Sequence, residues 1–393
     1  MQDIEPPGTL FTSIRVIRVA WAWCLVWPVL LGLHLADQVR VGWTDGVDRP
    51  FGEDFINFWS AARLAITRRV TSIYDFTAFH DFQVGVVGHA IDLYHYSYPP
   101  VAMVLTAPLG LLPYPVAWLA WQVLGWLAFA TALRRLSPRY WLLVALAWPA
   151  VMINALGGQI GCWIAAITAW GLLLLPRRPV AAGLLLSLLV IKPQLAWLVP
   201  LALLAGREWR AFAAMTIGGL ALLALTTLCF GIAIWPDYAD QAQALKQYIL
   251  EDGTGTWHRM ISVFVLVRHL GAPLLLAYGA QALASLATAW VVLAAWYRGS
   301  AFRMHFLVVG MLVGSIYVSD YDCVMLAFPA VALWRHATGN VRLAIVLTAS
   351  IPLAAATLAV STGVAIGTLM LWPILAVLHG LDREAPTLRP ALA

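Results

Sequence analysis

Apolar runs close to the length that spans a bilayer recur from one end of this chain to the other, and short clusters of arginine separate them. A helix of about 20 apolar residues crosses the roughly 30 Å hydrocarbon core at 1.5 Å per residue. Lipid is therefore the main solvent. Charge content agrees: 11% of the 393 residues are charged and 62% are hydrophobic, against roughly 25% charged in ordinary soluble domains. A single soluble globule is excluded. The reading is an all-α, polytopic transmembrane protein forming one domain over 1–393. About 12 crossings are expected, near 16–36, 114–133, 140–156, 160–175, 179–191, 193–205, 211–234, 273–296, 305–318, 322–334, 341–360 and 363–380.

The net charge of +5 and pI near 9.1 could suggest nucleic-acid binding. The arginines instead sit at the ends of apolar runs, as cytoplasmic loop residues do, so no nucleic-acid partner is expected. With the N-terminus inside, Arg134/Arg135/Arg139, Arg177/Arg178, Arg207/Arg210, Arg298/Arg303, Arg335/Arg342 and Arg383/Arg389 all fall on the cytoplasmic side. This requires that 101–112, opened by Tyr98-Pro99-Pro100 and closed by Pro113, does not cross fully. Twelve residues reach about 18 Å as a helix, and a re-entrant or juxtamembrane piece is expected there. The run from Val16 to Ala36 is longer than the 7–15 residues of a signal-peptide core, so it reads as an uncleaved first span.

The acidic residues fall on the other side. Asp37, Asp45, Asp48, Glu53, Asp54, Asp75, Asp81, Asp92, Asp237, Asp240, Glu251, Asp252, Asp320 and Asp322 are outside by this topology, 14 of the 19. Two outer segments are long, a first loop over about 37–113 and a second over about 235–272. In the first, Phe55 to Ile66 and Tyr74 to Val87 have helical spacing with apolar and polar faces, the pattern of helices lying along a membrane surface. Cys24, Cys162, Cys229 and Cys323 are scattered singly through apolar stretches and read as small core residues.

Chemistry-bearing residues concentrate at the outer junctions. Glu53-Asp54 precedes Phe55 and Trp59; a carboxylate beside aromatic surface is poorly solvated and becomes a better proton acceptor. Asp54 could equally be a helix N-cap. Lys192, in Ile191-Lys192-Pro193-Gln194, is one of two lysines and interrupts an apolar stretch. Such a cation faces a cavity or partner, where it could hold a lipid-linked phosphate, or it snorkels to the interface. Tyr317, Asp320, Tyr321 and Asp322 could bond sugar hydroxyls or form a plain polar loop. Gly157-Gly158-Gln159 marks a tight turn. His80, His89, His95 and His258 lack metal-ligand spacing, and phosphate-loop, dinucleotide and serine-hydrolase motifs are absent.

In order along the chain these residues resemble glycosyltransferase family 87. That family comprises bacterial multi-span proteins of the GT-C type and includes mycobacterial polyprenyl-phosphomannose-dependent α-mannosyltransferases. Its opening pattern is similar to Asp54-Phe55, Phe58-Trp59, Ser60-Ala61-Ala62 and Tyr74-Asp75. Its Tyr-Pro-Pro block is similar to Tyr98-Pro99-Pro100, Pro108-Leu109 and Leu112-Pro113. Gly158-Gln159, Ala182-Gly183-Leu184, Lys192-Pro193-Gln194 and Pro200-Leu201 follow. The late Ser-Pro-Tyr with Tyr-Asp reads as Ser315-Ile316-Tyr317 and Tyr321-Asp322, with Ile316 in place of the proline.

The resemblance implies a GT-C-like fold in a bacterial cytoplasmic membrane, with the active site facing the periplasm or exterior. It implies transfer of a hexose or pentose, such as mannose, from a polyprenyl monophosphate donor to a glycolipid or glycan acceptor, with inversion. It also implies Asp54 as general base. Outside the membrane there are no nucleotide sugars, so a lipid-linked donor suits the lack of a dinucleotide fold. Lys192, and with it Arg259, would stabilise the phosphate, while Glu53, Tyr98, Gln159, Gln194, Tyr317, Asp320, Tyr321 and Asp322 would contact sugar or acceptor. No cofactor or metal is expected, because fixed cations can hold a monophosphate. The competing readings are a secondary transporter or lipid flippase, and a membrane scaffold. Transporters place ionisable groups at the midplane of broken helices and often carry internal repeats, and neither pattern is visible.

Overall fold

The computed structural model describes residues 13–45, 48–336 and 338–384. Arg389, the last of the expected cytoplasmic arginines, lies outside them. Among the described residues there are helices and no strands; the only β-type pairings are isolated bridges at Thr44–Pro50 and Met260–Ser319.

The first long helix, α1 (Ser13–Arg40), lies at the periphery with only Cys24, Trp27 and Gln38 buried. The loop after it carries α2 (Phe55–Ile66), α3 (Phe76–Val87) and α4 (Val101–Thr106). The two amphipathic stretches expected over 55–66 and 74–87 are thus helices with almost those bounds. Nine of the twelve α2 residues are buried, so this helix packs into the protein. The segment expected not to cross is α4 plus a 3₁₀ turn, Ala107–Leu111. It is clamped beneath α2, where Trp59 Nε1 donates to the Leu112 carbonyl at 2.9 Å and Arg63 to the Gly110 carbonyl at 3.0 Å.

The bundle follows as α5 (Tyr114–Leu136), α6 (Trp141–Ala147), α7 (Pro149–Leu156), α8 (Gly161–Leu174), α9 (Pro179–Ser187), α10 (Pro193–Ala196), α11 (Leu198–Ala205) and α12 (Trp209–Phe230). The second long loop holds α13 (Ile234–Leu245), a π-helical turn (Lys246–Glu251) and α14 (Val263–His269). Then come α15 (Leu274–Tyr297), α16 (Arg303–Val313), α17 (Ala327–Leu333), α18 (Gly339–Thr362) and α19 (Trp372–Glu384). Five helices, α1, α5, α12, α15 and α18, are long and apolar enough to cross a membrane. The other apolar helices are shorter. The break between α6 and α7 falls at Trp148-Pro149, and that between α9 and α10 at Lys192-Pro193, because proline has no N–H to continue the ladder.

Between α9 and α12 the helices approach through small residues. A Cβ on Gly183 would sit 2.2 Å from the Ala211 carbonyl oxygen, so only glycine permits this approach. Cys24, Cys162 and Cys323 are buried as expected, but Cys229 is exposed, on an α12 surface that also leaves Leu225 and Leu228 uncovered.

Helix α5 measures about 35 Å at 1.5 Å per residue and connects two chemically different ends. Arg335 is tied to its C-terminal end, and two other arginines of the chain pair with carboxylates. Arg303 meets Glu208 at 2.9 Å, Arg298 meets Asp382 at 3.4 Å, and Arg335 donates to the Leu136 carbonyl at 3.0 Å. At its N-terminal end, Tyr114 donates to the Phe51 carbonyl at 2.6 Å. The polar residues singled out in the sequence gather there.

Candidate active site

Phe51 to Asp54 form a tight turn in which Gly52 and Glu53 both have positive φ, +73° and +45°. For glutamate this is strained backbone, tolerated only where the surroundings fix it. Gly158, at φ +60°, supplies that constraint: a Cβ there would lie 2.3 Å from the Gly52 carbonyl oxygen and 2.5 Å from Phe55 Cβ. The turn before Gln159 therefore docks directly on the turn before Asp54.

Asp54 stands at the N-cap position of α2, yet its side chain makes no capping hydrogen bond. Its carboxylate instead accepts from Gln159 Nε2, a residue 105 positions away. Asp54 is half-buried. Burial raises its pKa above the usual carboxylate value; the Arg259 guanidinium and the Gln159 bond act downwards, and the Asp320 charge upwards. Glu53 is likewise raised, by burial first and by Asp54 second, with Arg49 3.8 Å away.

Across from Asp54, the second loop pairs with the segment after α16. Met260 bridges Ser319, and the Ile261 N–H donates to the Val318 carbonyl at 3.0 Å. This register sets Arg259 beside Asp320, which it grips with two bonds, Nε at 3.0 Å and Nη2 at 3.2 Å. Asp320 also accepts from the Tyr321 N–H at 2.7 Å. Buried Asp320 and nearby Asp54 hold the guanidinium firmly protonated despite its own burial.

Lys192 sits in the helix break and is 2% exposed. Its ammonium contacts Asp322, lies 3.4 Å from the Tyr321 hydroxyl, and stands 4.5 Å above the Tyr321 ring. The other Asp322 oxygen accepts from the Ser319 N–H at 3.0 Å, in a capping box that opens the 3₁₀ turn Asp320–Leu326. The break is therefore buried within the protein, and Lys192 does not snorkel to an interface. The carboxylates of Asp320 and Asp322 are both taken up by cations.

A cavity of about 300 Å³ opens beside this network. Tyr98, Lys192, Gln194, Tyr317 and Tyr321 line it, as do three residues that sequence reasoning did not select: Tyr238, Lys246 and Tyr278. Both lysines of the chain thus face one cavity. Lys246 is held 3.2 Å from Glu251, at opposite ends of the π-helical turn. Tyr98 is fixed by ring contact with Phe58 at 4.8 Å, and burial keeps its phenol protonated. The structure thus gathers Asp54, Glu53, Gln159, Arg259 and Asp320 into one cluster, and places Lys192, Tyr98, Gln194, Tyr317 and Tyr321 at the adjoining cavity, with Asp322 behind Lys192. Among the described residues no group of three or more His, Cys, Asp or Glu has metal-holding geometry. His95, pushed down to about 4 by burial, packs edge-on against Phe76 outside the cluster.

Residues 96–319, more than half of the chain, fit a family model described as glycosyltransferase family 87. Tyr98, Gln159, Lys192, Gln194, Arg259 and Tyr317 lie within the matched segment, while Asp54, Asp320, Tyr321 and Asp322 lie outside it. No curated protein and no solved structure matches.

Proposed function

The chain belongs to glycosyltransferase family 87, and from that premise we propose that it transfers a sugar from a polyprenyl monophosphate donor to a glycolipid or glycan hydroxyl at the extracytoplasmic face of a bacterial cytoplasmic membrane, with Asp54 as general base. The observation that carries this reading is the setting of Asp54. Its carboxylate is half-buried, raised in pKa, pinned by Gln159, and under the influence of Arg259. A base must be held in position and kept a better proton acceptor than a free carboxylate; the Gln159 bond supplies the first and burial the second.

In a single displacement, the acceptor oxygen bonds to the anomeric carbon as the bond from that carbon to the phosphate oxygen breaks. Configuration inverts, the hydroxyl proton passes to Asp54, and the bonding pair leaves with the phosphate, which gains one negative charge. The 300 Å³ cavity suits the donor's phosphate end: apolar walls from Ile191, Leu245 and Ile249 receive the first isoprene units, and Lys192 and Lys246 face the anion. Charge that grows during transfer is best stabilised by cations already fixed in place, and Asp322 and Asp320 fix Lys192 and Arg259. Glu53, Tyr98, Gln194, Tyr317 and Tyr321 then offer hydrogen bonds to sugar and acceptor hydroxyls.

The twelve-crossing topology completes the proposal. The five long helices and the shorter apolar ones, some joined at proline breaks, traverse the bilayer with the arginine-rich end in the cytoplasm. Purified protein in liposomes, supplied with a panel of radiolabelled polyprenyl-phosphate sugars and extracted lipid acceptor, tests the reading. Transfer with at least one donor is expected, and Asp54→Asn should abolish it while binding of polyprenyl phosphate persists. Transfer by Asp54→Asn at the wild-type rate would remove Asp54 from the chemistry.

A further inference from the structure

A second, larger cavity of about 680 Å³ lies between α1, α6 and α18. It is remote from the cluster around Asp54: Arg335, on its wall, bonds the carbonyl of Leu136 at the far end of α5. Its lining is mostly apolar; Ser137, Tyr140 and Ser350 add hydroxyls, and two arginines add charge. Arg139 and Arg335 are exposed and border it, and neither forms an ion pair with a carboxylate among the described residues. Trp23 is on the cavity wall, and its indole N–H is buried with no hydrogen-bond partner among the described residues. A buried indole N–H nearly always finds an acceptor, so an orphan one marks a place for an oxygen supplied from elsewhere.

We propose that this cavity binds one anionic phospholipid. Its acyl chain fills the apolar space between α1 and α18, an ester oxygen accepts from Trp23, and the phosphate rests between Arg139 and Arg335. Each part answers a separate feature of the site: apolar volume, one unmet donor, and two unneutralised guanidiniums at one end. The reason such a lipid is needed is the thin attachment of α1. Besides packing, this helix is held to α6 by the Trp27 indole donating to the Leu146 carbonyl at 2.7 Å and by a long Cys24 contact to Leu143. A lipid in the cavity closes the gap that these contacts leave.

The test is native mass spectrometry of the full chain in detergent with added phosphatidylglycerol or phosphatidylcholine, together with thermal unfolding, in the absence of any sugar donor. Wild type should retain one phosphatidylglycerol in preference to phosphatidylcholine and melt at a higher temperature with it. Arg139→Gln combined with Arg335→Gln should bind phosphatidylglycerol about 30-fold more weakly, from two cations at about 1 kcal/mol each, and lose the preference. Ala349→Phe, which narrows the cavity and keeps both charges, should weaken retention of either lipid. Equal retention of the two lipids by wild type, or unchanged retention by the Arg double variant, would overturn the proposal. So would lipid binding that begins only after residues 1–12 are deleted, which would make the chain's own segment the occupant.

Discussion

The Lys192 ammonium and the Asp322 carboxylate meet in direct contact with side chains 2% and 1% exposed, at the point where Pro193 interrupts the helix. A buried pair of this kind contributes little net stability over an apolar replacement, because desolvation offsets the attraction, but breaking one side of it is strongly unfavourable. Its presence beside a cavity, in a chain with only two lysines, points to a charge kept for use rather than for folding.

That distinction can be measured. Asp322→Asn leaves Lys192 uncompensated and should lower stability by about 3–5 kcal/mol, read by unfolding in detergent. The double variant Lys192→Met with Asp322→Leu should recover most of that loss and yet show no sugar transfer. A double variant with both wild-type stability and wild-type turnover would make the pair purely structural.

Asp54 carries an opposite signature. Burial raises its pKa in the fold above the unfolded carboxylate value, so its ionised form lowers stability at neutral pH. That penalty fades as pH falls through the folded pKa towards the unfolded value near 3.9. Asp54→Asn should therefore melt higher than wild type at pH 7, with the difference shrinking on acidification, while transfer falls by about 100- to 10,000-fold. Unfolding scans from pH 7 to pH 4 give the first quantity and initial rates the second. An Asn variant that melts lower at every pH would mean that the carboxylate holds the turn together.

Arg259 opposes the rise in the Asp54 pKa. If Asp54 is the base, as proposed, turnover needs its ionised form and activity should climb with pH through that pKa. Arg259→Gln should displace the acidic limb of the kcat/KM profile to higher pH, in addition to lowering the maximum. A limb that stays in place would show that Arg259 acts on the donor and not on the base.

Much of this arrangement could be read from local pattern, and some could not. The bounds of α2 followed from apolar spacing alone, and Pro193 marked the break at Lys192, because both are short-range effects, whereas the break at Trp148-Pro149 divides what reads as one span over 140–156. The partnership of Asp54 with Gln159 spans 105 residues, and that of Arg259 with Asp320 spans 61. Nothing in either local sequence says that the acidic residues at 320 and 322 would be spent on cations instead of facing a sugar. Lys246 was overlooked for a related reason: only the π-helical turn, which follows from packing against α14 and α15, brings it to the cavity that Lys192 lines.

Gly158 links these distant pieces by close approach. Gly158→Ala would bring a Cβ to 2.3 Å from the Gly52 carbonyl and so push the Asp54 turn away from Gln159. Misplacement of a reacting group by about 1 Å can lower a rate 100-fold, and a loss of that order is expected with donor binding little changed. The measurement is turnover and polyprenyl-phosphate binding on the same preparation. Equal loss of both would indicate general unfolding instead.

The two lysines should separate by kinetic signature. Lys192 is buried and fixed by Asp322, so on the proposed mechanism its charge is in place before the donor arrives and during bond breaking, when the phosphate gains charge. Lys246 is half exposed and bound to Glu251 at 3.2 Å, an exposed-side contact that a phosphate can replace at little expense. Lys192→Gln should therefore lower kcat together with kcat/KM, whereas Lys246→Gln should raise KM for the donor and leave kcat near wild type. Glu251→Gln, by releasing the Lys246 ammonium, should lower that KM. Donor titrations of the three variants in liposomes decide the matter. A Lys246→Gln enzyme with unaltered KM would confine phosphate recognition to Lys192 and Arg259 and leave the π-helical turn with a packing role only.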